Sequence, residues 1–538
     1  MADVSDSPPV PASETSTRLV HFAIAAVGAL VVLGLRLALA SGVGYCGSRD
    51  ACFYETLARQ LAQHHGFVVP FVWNYQVGDI ALPNPALAYW RPGMSLILAL
   101  PAAFCAGVTL LSAAVLDTLA TLALSLSAAW LAWRTTADRA VALSAWLLCL
   151  LLAPLWTMPL TPDAALFYAA AVAWFLALID IERRSLRVEL LGVAMGGVAY
   201  FIRNDAILLG AALAAILARR LAVARGGARG VEFRRAAALC VAFLLALVPT
   251  HMLLYAASSH FLNSAIDRVM FLGNLDEFRR YGSPVDFATW SAPGLAALVK
   301  LRIVALFATL RGIWLLCGQF PTLLALLGAA IVATRRRREY GARFIAPAVF
   351  LAVLVGSYVM ALPVIAAHAV PRSATALLPC AAVLAVIAAR EIATSPRLAT
   401  AAVAIAAAFS VVHGLSMAQG LIGRFHGLRA RYESEARLIE AGAAQQRRPP
   451  LAMVEDPAPF TATTGIPSVP LPSNGLAATK AAIAHYGVTD VVADEWRGGR
   501  RLARALGASA VAGVPGTTDI VITVPRRSSG QNGATASR

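Results

Sequence analysis

Apolar segments alternate with short polar ones over residues 20–413 of the chain. A run of about 20 apolar residues crosses a membrane as a helix, because lipid offers no hydrogen-bond partner to bare backbone groups. The pattern predicts a mainly α-helical, polytopic transmembrane bundle. Its spans number about eleven, at residues 20–40, 113–133, 141–156, 165–181, 188–202, 206–218, 236–255, 312–334, 344–364, 375–389 and 398–413.

The first two spans are separated by a long loop, residues 41–112. Its apolar part, residues 92–111, is long enough to cross the membrane, but a crossing there would place the next basic loops outside. We therefore expect residues 92–111 to form a helix that lies in, or dips into, the outer interface. A loop of this length is usually functional.

The sequence after residue 413 becomes more polar. Residues 451–455, 489–493 and 510–524 are typical of strands, and residues 475–486 and 496–506 of helices. This alternation predicts a small α/β domain within residues 414–525, on the outer side because the number of spans is odd. Residues 526–538 are rich in Ser, Gly and Asn and are expected to be disordered.

Composition agrees with a membrane protein, since 59% of the 538 residues are hydrophobic and only 14% are charged. Lys and Arg exceed Asp and Glu by 45 to 29, giving a net charge of +16. Cytoplasmic loops are rich in basic residues, and here alternate loops are rich in arginine if residues 1–19 are a cytoplasmic tail. The positive charge therefore indicates orientation, and nucleic acid is not expected as a partner.

Two of the seven cysteines, Cys46 and Cys52, fall in the predicted outer loop. A pair outside the cytoplasm is able to oxidise and close a tight loop around Asp50, although two free thiols are the alternative.

Polar residues at the predicted outer boundary carry the functional argument. Asp50 follows the first span, and Tyr54 lies on the same face of a predicted surface helix, with Glu55 beside it. A helix cap is the structural alternative for Asp50. Asp163, in a short outer loop, is a second candidate acid, because a carboxylate there is costly unless it is hydrated, paired or used. Its structural alternative is again a cap.

Basic and aromatic residues lie at the same boundary. Trp90 is typical of an interfacial aromatic belt, but Arg91 beside it suits a lipid-linked phosphate. Arg203 and Asp205 occupy the next outer turn, where an ion pair of Arg203 with Asp205 or Asp163 is the alternative. His368 and Arg372 follow in a later outer loop, and lone histidines are more often structural.

These motifs resemble bacterial glycosyltransferases of the GT-C superfamily, the group of aminoarabinose transferases and protein O-mannosyltransferases. The resemblance rests on the acid after the first span, the aromatic-Arg-Pro-Gly sequence ending at Gly93, and the second acid two spans later. Arg203 and Asp205 match a G-x-A-x-x-x-R-x-D/E segment, and Arg372 precedes Pro379 as in a later R-x(6)-P motif.

The resemblance implies transfer of a sugar from a polyprenyl-phosphate donor to an acceptor at the outer face of a bacterial inner membrane. The acceptor is a lipid, a glycan or a protein. Asp50 would be the general base, Asp163 would orient the acceptor or an arginine, and the arginines would stabilise the phosphate leaving group. No cofactor is assigned. A divalent metal stays open, although Ala51 and Ala164 replace acids that the family often carries.

A transporter or flippase is the alternative from another class, and a polymerase or ligase of lipid-linked glycans is the alternative enzyme. Transporters usually place ionisable residues in mid-membrane or show paired halves. Here the acids and arginines lie at span ends. The sequence therefore favours a transferase.

Overall fold

A computed structural model of the chain describes residues 12–76, 81–103, 108–179, 185–258, 266–337 and 339–525. Long helices dominate it. The helices of the first half are α1 Ala12–Ser41, α2 Arg49–Ala62, α3 Gly93–Ala99, α4 Leu110–Thr136, α5 Arg139–Leu151, α6 Pro154–Thr157, α7 Ala165–Leu178, α8 Leu186–Ile202, α9 Leu209–Val223, α10 Gly227–Ser258 and α11 Ile266–Val269.

The second half continues the bundle and then adds a sheet. Its helices are α12 Phe287–Ser291, α13 Leu295–Leu316, α14 Gln319–Thr334, α15 Ile345–Ala361, α16 Pro363–Ala374, α17 Leu378–Ile392, α18 Pro396–Gln446, α19 Pro457–Thr464, α20 Leu476–Tyr486 and α21 Gly499–Leu506. The strands are β1 Val68–Val69, β2 Asn84–Pro85, β3 Ala452–Val454, β4 Ser468–Pro470, β5 Asp490–Asp494, β6 Ala510–Gly513 and β7 Asp519–Thr523.

The described helices include six that are long and apolar enough to cross a membrane, or up to eight if each bent pair forms one span. This confirms a multi-pass helical membrane protein, but the count is below the predicted eleven. Several predicted segments form helices that are short, such as the 14 residues of α7, or broken, such as α5 and α6, which meet at 50°.

One predicted span, residues 312–334, is wrong as a single helix. The chain bends by 101° between α13 and α14, at Cys317 and Gly318. Gly318 has φ +82°, a conformation that residues with a side chain rarely adopt. A glycine inside an apolar run is thus the local reason for the break.

Small residues bring the membrane helices close together. Gly197 on α8 faces Ala246 on α10, where an added Cβ would lie 2.8 Å from the Ala246 Cβ. Gly328 on α14 packs in the same way against the backbone of Leu384 on α17. Close backbone approach of this kind is a main source of helix association in lipid, since burial from water contributes little there.

The C-terminal sheet has five strands in the order β4-β3-β5-β7-β6. β3 pairs in parallel with β4 and β5, whereas β7 is antiparallel to β5 and β6. The predicted small α/β region is therefore present, with one strand, β4, that the sequence pattern did not indicate. We call the side of the membrane that carries this sheet the domain side.

The long first loop packs into this domain. The backbone N–H of Val72 donates to the Ser468 carbonyl over 3.0 Å, and the Ser468 N–H donates to the Pro70 carbonyl over 3.2 Å. The Tyr75 hydroxyl donates to the Pro470 carbonyl over 2.5 Å, and Val72 and Tyr75 belong to the buried core of the domain. The loop and the C-terminal domain thus form one body above the bundle.

One boundary of the predicted organisation differs from the structure. The predicted boundary at residue 413 lies inside α18, a continuous helix of 51 residues that runs from the bundle into the domain. Within residues 92–111, which were not expected to cross the membrane, the described helix α3 is 7 residues long and too short to do so. The predicted tail 526–538 lies outside the described residues, as do residues 1–11 of the predicted tail 1–19.

Candidate active site

The first candidate acid, Asp50, lies in the first turn of α2. The N-cap of this helix is Ser48, whose hydroxyl accepts a hydrogen bond from the Ala51 N–H over 3.1 Å. The interpretation of Asp50 as the cap is therefore wrong, and its carboxylate is available for other contacts. Cys46 and Cys52 are joined by a disulfide that closes a small ring around both Ser48 and Asp50.

The second candidate acid, Asp163, precedes α7. Its Oδ1 accepts a hydrogen bond from the Ala165 N–H over 3.1 Å, so it does satisfy a backbone group at the start of that helix. Its Oδ2 lies 3.5 Å from the Ser48 hydroxyl. A contact with the start of α7 and a contact with the segment of Asp50 therefore coexist in this residue, and Ser48 links the two acidic segments.

Arg372 joins the two acids, although it lies on α16, more than 200 residues later in the chain. Its Nη1 donates to Asp50 Oδ2 over 2.9 Å and lies 3.5 Å from Asp163 Oδ2. The side chains of Arg372 and Asp50 are 37% and 23% exposed, so solvent reaches them, whereas Asp163 is nearly buried. The arrangement of two carboxylates and one guanidinium leaves one net negative charge at a place that solvent reaches.

Burial raises the pKa of the Asp50 carboxyl above its ordinary value. The Arg372 guanidinium acts in the opposite direction and lowers this pKa, while the neighbouring Asp163 carboxylate raises it further. The net direction is upward because the partial loss of water around the carboxylate, whose side chain is 23% exposed, outweighs the ion pair. Such a carboxylate is a stronger base than one in water.

Tyr54 lies one turn after Asp50 on α2 and is fully buried. Burial raises the pKa of its phenol well above the ordinary value, and the Asp50 charge adds to the effect. Its ring packs against Trp90 with centroids 6.0 Å apart. Asp50 and Tyr54 therefore lie near each other on α2, as the helical spacing predicted.

Arg203 is held in place by hydrogen bonds to side chains of this chain. Its Nε and Nη2 each donate to the Asp205 carboxylate over 3.2 Å, and Nη2 donates to the Ser373 hydroxyl over 3.1 Å. The ion pair of Arg203 with Asp205 is thus confirmed, and among the described residues Arg203 forms none with Asp163. Ser373 follows Arg372 directly, so this network also positions the arginine between the acids.

Arg91 is buried, at 4% exposure. Its Nη2 donates to the Tyr200 hydroxyl over 2.6 Å, its Nε donates to the Asn204 side chain, and its guanidinium lies 4.5 Å from the centroid of the Tyr200 ring. Within the described parts of the chain its Nη1 has no hydrogen-bond partner. Arg91 therefore connects the first loop to α8, and its Nη1 group is left without a hydrogen-bond acceptor among the described residues.

Two predicted residues lie apart from the acids. Glu55 is buried but forms an ion pair with Arg59, whose Nη1 donates to the Ala462 carbonyl in α19 over 3.2 Å. His368 lies one turn before Arg372 on α16 and is exposed. Glu55 thus belongs to the contact between α2 and the C-terminal domain.

Asp117, near the start of the predicted span 113–133, is an acid that the sequence pattern did not single out. It is fully buried in α4, and in the described structure neither of its carboxylate oxygens has a hydrogen-bond partner. The available signal was a single acid inside an apolar run, which is a functional candidate by default.

The arrangement does not fit a divalent-metal site. The described residues contain no group of three or more His, Cys, Asp or Glu side chains that could hold a metal ion. Instead, Asp50 and Asp163 share the Arg372 guanidinium, which supplies positive charge where a cation would bind.

Two solved structures are similar to this chain over nearly its whole length. ArnT from Cupriavidus metallidurans in the apo state gives a TM-score of 0.56 at 15% identity, covering 95% of this chain and 100% of ArnT. The same protein bound to undecaprenyl phosphate gives a TM-score of 0.55 at 14% identity, covering 94% of this chain and 99% of ArnT. This chain has the GT-C fold.

The similarity to ArnT establishes the fold of this chain over nearly its whole length. An oligosaccharyltransferase from Archaeoglobus fulgidus gives a TM-score of 0.49 at 10% identity, covering 88% of this chain and 71% of that one. No protein-family model matches the sequence, and no curated protein matches it.

Proposed function

We propose that the protein is a membrane glycosyltransferase that moves a sugar from a polyprenyl-phosphate donor to an acceptor hydroxyl. One observation carries the proposal: the solvent-accessible Asp50 carboxylate, with its raised pKa, is paired with Arg372 beside Asp163. The fold it shares with ArnT, whose structure holds undecaprenyl phosphate, supports a lipid-phosphate donor.

In the proposed reaction Asp50 is the general base. The acceptor hydroxyl gives its proton to the Asp50 carboxylate while its oxygen forms a bond to the anomeric carbon of the sugar. The bond between that carbon and the phosphate oxygen breaks, and the electron pair leaves with the polyprenyl phosphate. A phosphate leaves without protonation, so the step needs a base and positive charge but no strong acid.

Arg372 is the proposed source of that positive charge. It is the most exposed of the three candidate arginines, whereas Arg203 and Arg91 are held in buried networks. A guanidinium matches phosphate oxygens well, and donor binding would draw Arg372 partly away from Asp50. That movement would leave the Asp50 carboxylate less neutralised, and therefore more basic, when the donor is in place.

Asp163 and Arg203 are proposed to position these groups. Asp163 is fixed at the start of α7 and holds Arg372 from the other side. Arg203 is anchored by Asp205, and its bond to Ser373 fixes the turn of α16 that carries Arg372. Asp163 is also near enough to orient an acceptor at Asp50.

We propose the orientation given by the charged loops, with the N-terminus in the cytoplasm and the C-terminal domain outside a bacterial inner membrane. The acid pair lies on the domain side, so transfer would occur at the outer face. The acceptor is then a lipid, glycan or protein present on that side.

The proposal is tested with membranes that contain the Asp50→Asn variant and a labelled polyprenyl-phosphate sugar. Loss of a general base typically lowers the rate about 10²- to 10⁴-fold, so we expect transfer to fall by that factor at unchanged protein abundance. Asp276→Asn is the matched control, because Asp276 is an exposed acid on the same side, at 74% exposure.

If the Asp50→Asn variant transfers the sugar at an undiminished rate, Asp50 is not the general base. Movement of the labelled lipid across the membrane without covalent transfer would instead support a transporter or flippase. Elongated lipid-linked glycan as the product would support a polymerase or ligase.

A further inference from the structure

The C-terminal sheet has a defined direction relative to the membrane, because α18 packs along it. Arg431 Nε lies 2.7 Å from the Asp519 carboxylate, at the edge where β7 begins and β5 ends. Gly442, three turns further along α18, packs against Asp490 and Thr523 at the opposite edge. Since the membrane lies toward the start of α18, the carboxyl ends of β3, β4 and β5 face the membrane.

The height of this edge follows from the same helix. Residues 398–423 of α18 carry no charge, and Arg424 ends that stretch. The His426 ring also contacts the Gly42 carbonyl over 3.0 Å, just past the end of α1. Arg431 is seven residues beyond Arg424, about 10 Å at 1.5 Å per residue. The edge therefore lies near the level of the lipid headgroups.

Two of the three parallel strands have covered ends. After β3, Asp456 forms an ion pair with Arg49 of α2. After β4, the Ser473 N–H donates to the Arg279 carbonyl over 3.0 Å. After β5 comes Trp496, which is 85% exposed. Within the described structure, the end of β5 thus presents a large exposed aromatic ring at the membrane-facing edge.

The residues after Trp496 are strongly basic. Residues 496–504 contain four arginines and no acid. Arg500 pairs with Glu495, and Arg497 lies 3.6 Å from Glu455. Arg501 and Arg504 are exposed and form no ion pair with any described residue. A large exposed aromatic beside several arginines is typical of protein surfaces that enter an interface of anionic lipids.

We propose that Trp496 and the arginines of α21 dock the C-terminal domain onto anionic lipid headgroups on the domain side of the membrane. Trp496 enters the interface with its apolar ring and places its N–H among polar groups, while Arg501 and Arg504 bind lipid phosphates. This contact does not depend on the proposed transferase reaction. It would give the domain a third support, beside α2 and the segment that contains Arg279.

The test uses the full chain in vesicles and a nitroxide label at Arg501→Cys, with Cys105 and Cys240 replaced by serine. The matched control is a label at Ser509→Cys, an exposed position at the opposite edge of the sheet, where Ser509 contacts the Thr523 carbonyl. Collision with a water-soluble nickel reagent is measured for both labels. Vesicles contain either phosphatidylcholine alone or phosphatidylcholine with phosphatidylglycerol.

We expect the label at position 501 to collide with the reagent severalfold less often than the label at 509, and the difference to grow with phosphatidylglycerol. Equal accessibility of the two positions would overturn docking and leave the surface to a soluble partner. The same protection at 501 in both kinds of vesicle would overturn the assignment to anionic lipid.

Discussion

Arg372 lies where the two candidate acids meet, and its charge reduces the basicity that burial gives to Asp50. Its guanidinium favours the ionised form of Asp50 and so lowers the pKa of that carboxyl, against the larger upward effect of burial. A general base works in its ionised form, so activity is present above this pKa and is lost as pH falls through it.

Replacing Arg372 by glutamine should therefore have two effects. Transfer should fall about 10²- to 10³-fold because charge that stabilises the phosphate is removed. The loss of activity on acidification should also begin at a higher pH, since the pKa of Asp50 rises without its ion-pair partner. The measurement is kcat/KM against pH in proteoliposomes.

The matched variant is Arg372→Lys, which keeps the charge but loses the planar fork. It should retain a pH profile close to that of the unaltered protein, with a smaller loss of rate. If Arg372→Gln shows an unshifted profile, Arg372 does not act on Asp50.

The sequence predicted the members of this site better than their pairings. Asp50, Asp163 and Arg372 were indicated because charged groups at a membrane boundary need a reason. Their meeting through one guanidinium was not predictable, since it depends on how α2, α7 and α16 pack. Asp117 was missed because a single acid does little to the hydropathy of a 27-residue helix.

Helix α2 is the element that presents the base, and its start is fixed by short-range features. Ser48 caps the helix. The disulfide joins Cys46 to Cys52, which are six positions apart in the sequence, and so closes a short loop around that cap. Constraining so short a loop contributes about 2 kcal/mol to stability in the chain-entropy account.

The double variant Cys46→Ser/Cys52→Ser should therefore have a lower free energy of unfolding, by about 2 kcal/mol. Because the start of α2 becomes mobile, kcat should fall while KM for the donor changes little. Thermal unfolding and steady-state kinetics in detergent provide both measurements.

A cysteine pair elsewhere serves as the comparison. Cys317→Ser/Cys380→Ser alters two buried free thiols in the bundle and should lower stability without a selective loss of kcat. Equal kinetic effects of the two double variants would contradict a positioning role for the disulfide.

Hydropathy located helices well but did not give their ends. The predicted segments 206–218 and 344–364 coincide closely with α9 and α15, since an apolar run needs a helix in lipid. The bend at Gly318 and the continuation of α18 through residue 413 were not predicted, because periodicity does not reveal a turn or a polar extension. Strand β4 was not indicated because Ser468 and Pro470 interrupt the apolar run that β3, equally short, keeps.

The domain and the bundle meet directly above the acid pair. Arg49 precedes Asp50 and forms an ion pair with Asp456 at the end of β3. Their side chains are 62% and 29% exposed, so the pair contributes little to overall stability. Its expected effect is on the position of α2 beneath the domain.

Charge reversal tests this link. Arg49→Asp and Asp456→Arg should each lower kcat severalfold, because like charges then push α2 and the domain apart. The double variant should recover most of the rate, since it restores an ion pair of opposite sense. Two additive losses in the double variant would show that the contact does not couple the two parts.

Helix α18 gives the whole molecule a mechanical property. Its 51 residues span about 76 Å, and the part beyond Arg424 is about 33 Å long. A tilt of about 5° within the membrane would move the far end of this part by about 3 Å, the length of a hydrogen bond. A change in bilayer thickness that tilts α18 would therefore displace the C-terminal domain relative to the acids.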